Sequence, residues 1–170
     1  MHPSVEASHS HPYPLEHDHK KCVSEALGMA EHLCVVRGVQ LTPIRRQVLE
    51  LIWDSHKAIK AYDLLDNIKP LQNAAKPATI YRALDFLIEQ GLIHRVESLN
   101  AFVGCKCSVH PHELLLLICK HCNEVEERPA PIVMEALAQE FYQAGFLPHS
   151  KAIEAQGICG KCSEFSGNQD

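Results

Sequence analysis

The sequence lacks any long apolar segment. Its longest apolar run, Leu114–Cys119, has the length of a buried strand and is far shorter than the roughly 18 residues that a membrane helix needs. The N-terminus also lacks the basic segment followed by an apolar one that marks a secretory signal. We therefore expect a soluble, cytoplasmic protein with no membrane partner.

An overall excess of positive charge is missing too, because the formal net charge is −5. The distribution of charge is nevertheless uneven. Residues 37–82 hold eight basic and four acidic side chains, whereas residues 101–170 hold five basic and nine acidic ones. A basic front and an acidic back fit a protein that places one face on a polyanion, and a solvated surface with a chance asymmetry fits equally well.

The first 21 residues contain almost no large apolar side chains. They include five histidines and three prolines, a composition typical of a disordered tail. The histidines fit either weak metal binding or no specific role.

After the tail, apolar residues recur with helical spacing in four segments. The predicted helices cover about residues 24–37, from 43 onward, 61–68 and 76–90. Thr42-Pro43 is a typical helix start, and Gly91 is a typical helix end. Two apolar stretches, Leu92–Val96 and Ala101–Gly104, then predict a β-hairpin. This order is that of a winged helix-turn-helix domain, with the hairpin as the wing.

A second, smaller unit follows a segment, residues 105–113, that is rich in cysteine, histidine and proline and is interpreted as a linker. The pattern beyond it predicts strands at about 114–118, 125–128 and 152–155 and a helix at 132–144. The predicted fold class is therefore α+β. Because three strands and one helix bury little apolar surface, this unit needs a partner surface, a metal ion or both.

The strongest chemical signal is a pair of Cys-x-x-Cys motifs, Cys119/Cys122 and Cys159/Cys162. Each motif follows a predicted strand, and two intervening residues allow both sulfurs to turn toward one ion. Four thiolates form the closed tetrahedral site of structural zinc. A redox pair and an iron–sulfur cluster are the alternatives, although a redox site usually has one such motif at the start of a helix.

A second set of metal-binding residue types is scattered along the chain: His94, Cys105, His112 and Glu127. Two imidazoles, a thiolate and a carboxylate are a reasonable ligand set for a four-coordinate zinc ion. Each residue also fits a surface or core position, and the spacing alone does not bring the four together.

The fourth predicted helix carries the main DNA-binding signal, because its first two turns present polar residues opposite its apolar face. The candidate contacts to bases and phosphates are Thr79, Tyr81, Arg82, Arg45 and Lys76. Arg82 also fits an ion pair with Asp85 or Glu89 on a solvated helix, and the neighbouring wing favours the DNA interpretation.

Several of these segments resemble the ferric uptake regulator family, over about residues 23–163. The resemblance rests on Leu41–Arg45, Lys76–Leu84, Gly91–Glu97 and the paired Cys-x-x-Cys motifs. Residues 61–65, 82–87 and 153–159 are similar to the zinc-responsive branch of the family.

The resemblance implies a winged-helix domain over residues 22–104 and a dimerisation domain over residues 114–165. It implies structural zinc at the four cysteines and a second, sensing zinc at His94, Cys105, His112 and Glu127, which makes two zinc ions per chain. The implied function is a zinc-responsive repressor that binds palindromic operators of zinc-uptake genes as a homodimer. The resemblance also assigns base reading to Tyr81 and Arg82.

Some positions depart from the family pattern. Asp66 and Lys69 match a pair that, in a close relative, joins neighbouring dimers on DNA, but the relative has arginine at the second position. Pairs of dimers on DNA are thus a further expectation. Four residues compete as ligands or offer a third metal site: Cys107, His110, Glu126 and His149.

Two other functions fit parts of the sequence. An iron or peroxide sensor of the same fold is disfavoured because a thiolate at Cys105 favours zinc over ferrous iron. A zinc deaminase needs an H-x-E motif and a proline before its Cys-x-x-Cys motif. Here Glu113 directly follows His112 and Ile118 precedes Cys119, so no enzymatic activity is expected.

Overall fold

The computed structural model describes residues 19–55, 57–68, 76–106, 114–148 and 152–166. Most of the expected disordered tail lies outside the described residues. The first helix, α1, covers His19–Val36 and thus begins five residues before the predicted start at position 24. The ring nitrogen Nε2 of His19 lies 2.6 Å from the carbonyl oxygen of Asp54 and anchors this first turn, a contact that apolar spacing does not reveal.

Three more helices complete the first unit, and their bounds agree closely with the predicted ones. They are α2 (Pro43–Trp53), α3 (Ala61–Ile68) and α4 (Pro77–Glu89). Gly91 ends α4 with a φ of 64°, a conformation that glycine adopts without strain. The apolar faces of the four helices form one core, which includes Leu49, Ile52, Leu64, Ile80 and Leu87.

The predicted hairpin is present as β1 (Ile93–Val96) and β2 (Ala101–Gly104), paired in antiparallel register with His94 opposite Val103. A 3-10 turn, Glu97–Leu99, connects the strands. The backbone of Ile59 pairs with that of Phe102, so the segment before α3 lies along the free edge of the hairpin. We call β1, the turn and β2 the wing.

The second unit contains β3 (Leu114–Cys119), β4 (Val125–Pro129), α5 (Pro131–Gln143) and β5 (Ile153–Gly157). The strand order is β4-β3-β5, with β4 antiparallel and β5 parallel to β3. A short helix, α6 (Gly160–Ser166), follows. Helix α6 was not predicted, because seven residues are too few to show a helical period.

The two units share a small apolar core. Val96 and Val103 of the wing pack against Leu116, Ile118 and Val125 of the sheet. Through these contacts the wing packs on the sheet, and the strands of the wing lie close to β4. Within the described ranges, no helix has both the length and the apolar character that crossing a membrane requires.

Candidate metal centres and DNA-binding surface

The four cysteines of the paired motifs meet at one end of the sheet. Cys119 is the last residue of β3, and Cys159 follows the parallel strand β5, so the carboxyl ends of the two strands bring both motifs to the same edge. All four sulfurs lie within 4.8 Å of one another, and the Sγ atoms of Cys122 and Cys159 are 3.8 Å apart. Cys162 reaches the cluster from α6.

The thiols of this cluster are in unequal electrostatic surroundings. Backbone N–H groups of Cys122 and Cys159 point at the sulfur of Cys119 and lower its pKa to about 6. A hydrogen bond with Cys159, together with burial and the other thiols, raises the pKa of Cys162 to about 12. Because adjacent thiolates repel one another, all four ionise together only around a cation. A compact set of four sulfur donors fits tetrahedral zinc.

A second cluster joins the wing to the sheet. His94 lies on β1, Cys105 directly follows β2, and Glu127 lies on β4. Their donor atoms fall within 4.8 Å of one another. The Nε2 atom of His94 is 3.6 Å from Oε2 of Glu127, and the Sγ atom of Cys105 is 3.9 Å from Oε1. We call these three residues the wing cluster.

The wing cluster is buried. The exposed fractions are 7% for the His94 side chain, 5% for that of Glu127 and 5% for Cys105. Burial alone would raise the pKa of Glu127, but His94 and the backbone N–H of Lys106, 3.0 Å from Oε2, outweigh it and hold that pKa below its usual range. A buried carboxylate beside an imidazole and a thiol is a donor set that suits zinc and not a hard cation such as Mg²⁺.

The structure also bears on the competing ligands. The Glu126 carboxylate lies 3.6 Å from Arg128 on the other side of the strand, so strand alternation brings only Glu127 to the wing cluster. The remaining candidates lie outside the described residues: His112, Cys107, His110 and His149.

The α4 surface carries the candidate base contacts. Tyr81 is 49% exposed, Arg82 and Lys76 are exposed, and Thr79 is half-buried. Among the residues that the structure describes, no ion pair joins Arg82 to Asp85 or Glu89.

The other predicted DNA and dimer contacts have different surroundings. The Arg45 guanidinium lies 3.6 Å from the centre of the Phe86 ring and donates a hydrogen bond to the carbonyl oxygen of Gln40 at 2.6 Å. This packing holds Arg45 next to α4. Asp66 is exposed on α3, and Lys69 lies outside the described residues.

A packing contact behind the wing cluster was not predicted from the sequence. The indole of Trp53, the only tryptophan of the chain, packs against Gly104, where an added Cβ atom would lie 2.4 Å from Trp53 Cε2. Trp53 also lines a small cleft together with Glu127 and Lys106.

The sequence and the fold are both similar to characterised proteins. The Zinc uptake regulation protein of Escherichia coli (strain K12) is 42% identical over 146 residues, which are 85% of each chain. A solved structure described as a zinc uptake regulator complexed with zinc and DNA matches with a TM-score of 0.81 and 42% identity, over 85% of this chain and 97% of that chain.

A third relative, XcZur, has been solved in two forms. The holo form matches with a TM-score of 0.76 and 40% identity, over 82% of this chain and 98% of that chain. The apo form matches with a TM-score of 0.51 and 38% identity, over 84% and 99%. The conformation of this chain is thus nearer to the holo form. A sequence profile of the ferric uptake regulator family matches residues 36–156, and this chain therefore belongs to the ferric uptake regulator family.

Proposed function

We propose that this chain is a zinc-responsive transcriptional repressor and that the wing cluster is its sensor. The observation that carries the proposal is the position of His94, Cys105 and Glu127. These residues come from both units, and their donor atoms meet at one buried site. A ligand set divided in this way couples metal binding to the orientation of one unit on the other.

The mechanism follows from what these residues do. His94 and Cys105 fix the open end of the wing, and Glu127 fixes the edge of the sheet. A bound zinc ion supplies the positive charge that keeps the imidazole, thiolate and carboxylate together. Without that charge, the attraction that holds the buried Glu127 carboxylate next to the Cys105 thiol is weaker, and the wing is free to separate from the sheet. His112 is the proposed fourth ligand.

The four-cysteine cluster has a different proposed role. Cys119, Cys122, Cys159 and Cys162 all belong to the second unit, so metal binding there stabilises that unit and leaves the wing unaffected. Together the two clusters account for two zinc ions per chain.

The proposal assigns DNA binding to the exposed start of α4. Tyr81 and Arg82 read base edges, Thr79 lies beside them, and Arg45 and Lys76 contact phosphates. A palindromic operator requires two recognition helices about 34 Å apart, and therefore a homodimer.

The second unit offers a surface for that homodimer. Its helix α5 buries only Met134, and large apolar side chains stay exposed on and after it: Ile132, Val133, Tyr142, Phe146 and Leu147. Apolar exposure on this scale marks an interface. Asp66 and Lys69 are the proposed contacts between neighbouring dimers on DNA. A repressor of zinc-uptake genes acts on the chromosome, which places it in the cytoplasm.

Two findings support this function. The similarity to a zinc uptake regulator solved with zinc and DNA extends over both units. The conformation agrees better with holo than with apo XcZur, as expected if the described state is the one that binds DNA. The thiolate of Cys105 favours zinc over iron and so favours this function over an iron or peroxide sensor.

The test measures binding of the full chain to an operator fragment from a zinc-transporter promoter at fixed salt, across buffered concentrations of free zinc, iron or manganese. We expect binding to rise steeply with zinc alone, and His94→Ala or Cys105→Ser to abolish that rise while the four-cysteine site keeps its zinc. Metal-independent binding, or an equal response to iron, would contradict the proposal.

A further inference from the structure

A contact remote from both metal centres also holds the wing to the sheet. Glu154 lies on β5, and its two carboxylate oxygens accept hydrogen bonds from the backbone N–H groups of Glu97 and Ser98, at 2.6 and 3.0 Å. These amides begin the 3-10 turn of the wing, where N–H groups have no partner within the turn itself. A side chain of one unit thus caps a turn of the other.

The position of this contact gives it a mechanical role. Glu127 lies on β4 and Glu154 on β5, which are the two outer strands of the β4-β3-β5 sheet. Glu127 contacts His94 at the open end of the wing, and Glu154 contacts its turn. The apolar contact with Leu116 of β3 lies between them. The wing therefore lies across the whole sheet and is attached at both edges.

Two attachment points define an orientation, whereas one point leaves a pivot. The attachment at β4 includes the wing cluster and depends on metal in the proposed function. The attachment at β5 contains only a carboxylate and two amides, so it can form whenever the wing packs on the sheet. When one attachment forms, it brings the groups of the other attachment closer together. We therefore expect the two attachments to form cooperatively.

The wing turn is organised to receive this carboxylate. The Glu97 side chain is paired with Arg95, whose Nε lies 3.2 Å from Oε2, so the local negative charge of Glu97 is offset. Arg95 also donates to Oδ1 of Asn100 at 3.3 Å, and Asn100 closes the turn with a φ of 46°. Both contacts of Arg95 are made within the wing and stabilise the turn whose amides Glu154 binds.

We propose that Glu154 is a positioning residue, which fixes the orientation of the wing on the sheet. It thereby sets the free-zinc concentration at which the wing packs on the sheet, which we call the closed state. This inference rests on the proposed function of the wing cluster. Glu154 touches neither metal nor DNA. It stabilises the closed state alone, because Glu97 and Ser98 amides bind water when the wing has left the sheet.

The test uses Glu154→Ala, which removes both acceptors, and Glu154→Gln, which keeps one acceptor oxygen. The matched control is Glu126→Gln, an identical change on the same sheet at a carboxylate that faces Arg128. Zinc binding to the full chain without DNA is followed by the fluorescence of Trp53, which packs beside the wing cluster. Hydrogen exchange of the Glu97 and Ser98 amides in the zinc-loaded chain is the second measurement.

Two hydrogen bonds to a carboxylate at a partly exposed site contribute enough to change the zinc midpoint by about five- to thirty-fold. We expect Glu154→Ala to raise the midpoint by that factor and to speed exchange of the two amides by a similar factor. Glu154→Gln should fall between, and Glu126→Gln should match the parent. The four-cysteine site should retain its zinc in all of them.

The possible failures are distinguishable. An unchanged midpoint or unchanged amide exchange in Glu154→Ala would overturn the role of Glu154, while steep zinc-dependent operator binding by the parent chain would leave the proposed function standing. Zinc-independent operator binding by the parent would refute the proposed function and, with it, the role of Glu154 in setting the zinc response. If Glu154→Ala does not fold, Glu154→Gln decides by the same two measurements.

Discussion

Two adjacent glutamates on β4 allow a sharp test of the sensor. Glu127→Gln removes one negative charge from the wing cluster with almost no change of shape, and Glu126→Gln removes the same charge one residue away. The Glu127 side chain is 5% exposed and contacts His94 and Cys105, whereas Glu126 faces Arg128. Only the first change should alter binding of the sensing zinc.

The size of the effect follows from the burial of Glu127. Two unit charges about 4 Å apart at an effective dielectric constant near 20 interact by about 4 kcal/mol. The amide oxygen of Gln remains a weak ligand, and the neutral side chain is easier to bury. We therefore expect a net loss of about 2–3 kcal/mol, which is a 30- to 150-fold weaker affinity for the sensing zinc.

The assay is competition between the protein and a zinc chelator of known affinity, with metal analysis to show that the four-cysteine site remains filled. Operator binding is measured in parallel and should recover at high free zinc, because the variant still closes once zinc is bound. If Glu127→Gln and Glu126→Gln bind zinc equally well, Glu127 is not a ligand and the wing cluster is not the sensor.

Further predictions concern packing, DNA recognition and assembly. Gly104→Ala brings a Cβ atom against Trp53 and should destabilise the first unit by about 1–3 kcal/mol in denaturant unfolding, with a shift of tryptophan emission; the control Gly28→Ala meets no atom within 4 Å and should be neutral or stabilising. Arg82→Ala should weaken operator binding by about 1–3 kcal/mol and relax sequence preference without changing zinc affinity, and equal loss on all sequences would refute base reading. Ile132→Glu should shift the proposed homodimer toward monomer in analytical ultracentrifugation, and an unchanged dimer would exclude α5 from the interface. Removing bound metal with a strong chelator should lower the unfolding temperature, and an unchanged temperature would contradict the proposed structural role of the four-cysteine cluster.

Local patterns were sufficient to predict most of the secondary structure. Helical spacing of apolar residues, Pro43 and Pro77 at helix starts and Gly91 at a helix end predicted α2 to α4, which the structure contains with nearly the same bounds. The start of α1 was predicted too late because its first turn is polar and is held by His19 and Asp54. Residue patterns within one turn of helix or one strand can be recognised in the sequence, whereas contacts between distant segments of the chain cannot.

The two candidate metal centres illustrate the same division. Cys119/Cys122 and Cys159/Cys162 are recognisable from spacing because each motif places two sulfurs within reach of one ion, and the parallel pairing of β3 and β5 then unites them. His94, Cys105 and Glu127 have no such local relation, and only the packing of the wing on the sheet brings them together. The choice of Glu127 over Glu126 and the capping of the wing by Glu154 are likewise decided by tertiary structure. Both depend on which face of a strand meets another unit, and that is a property of packing between segments far apart in the chain.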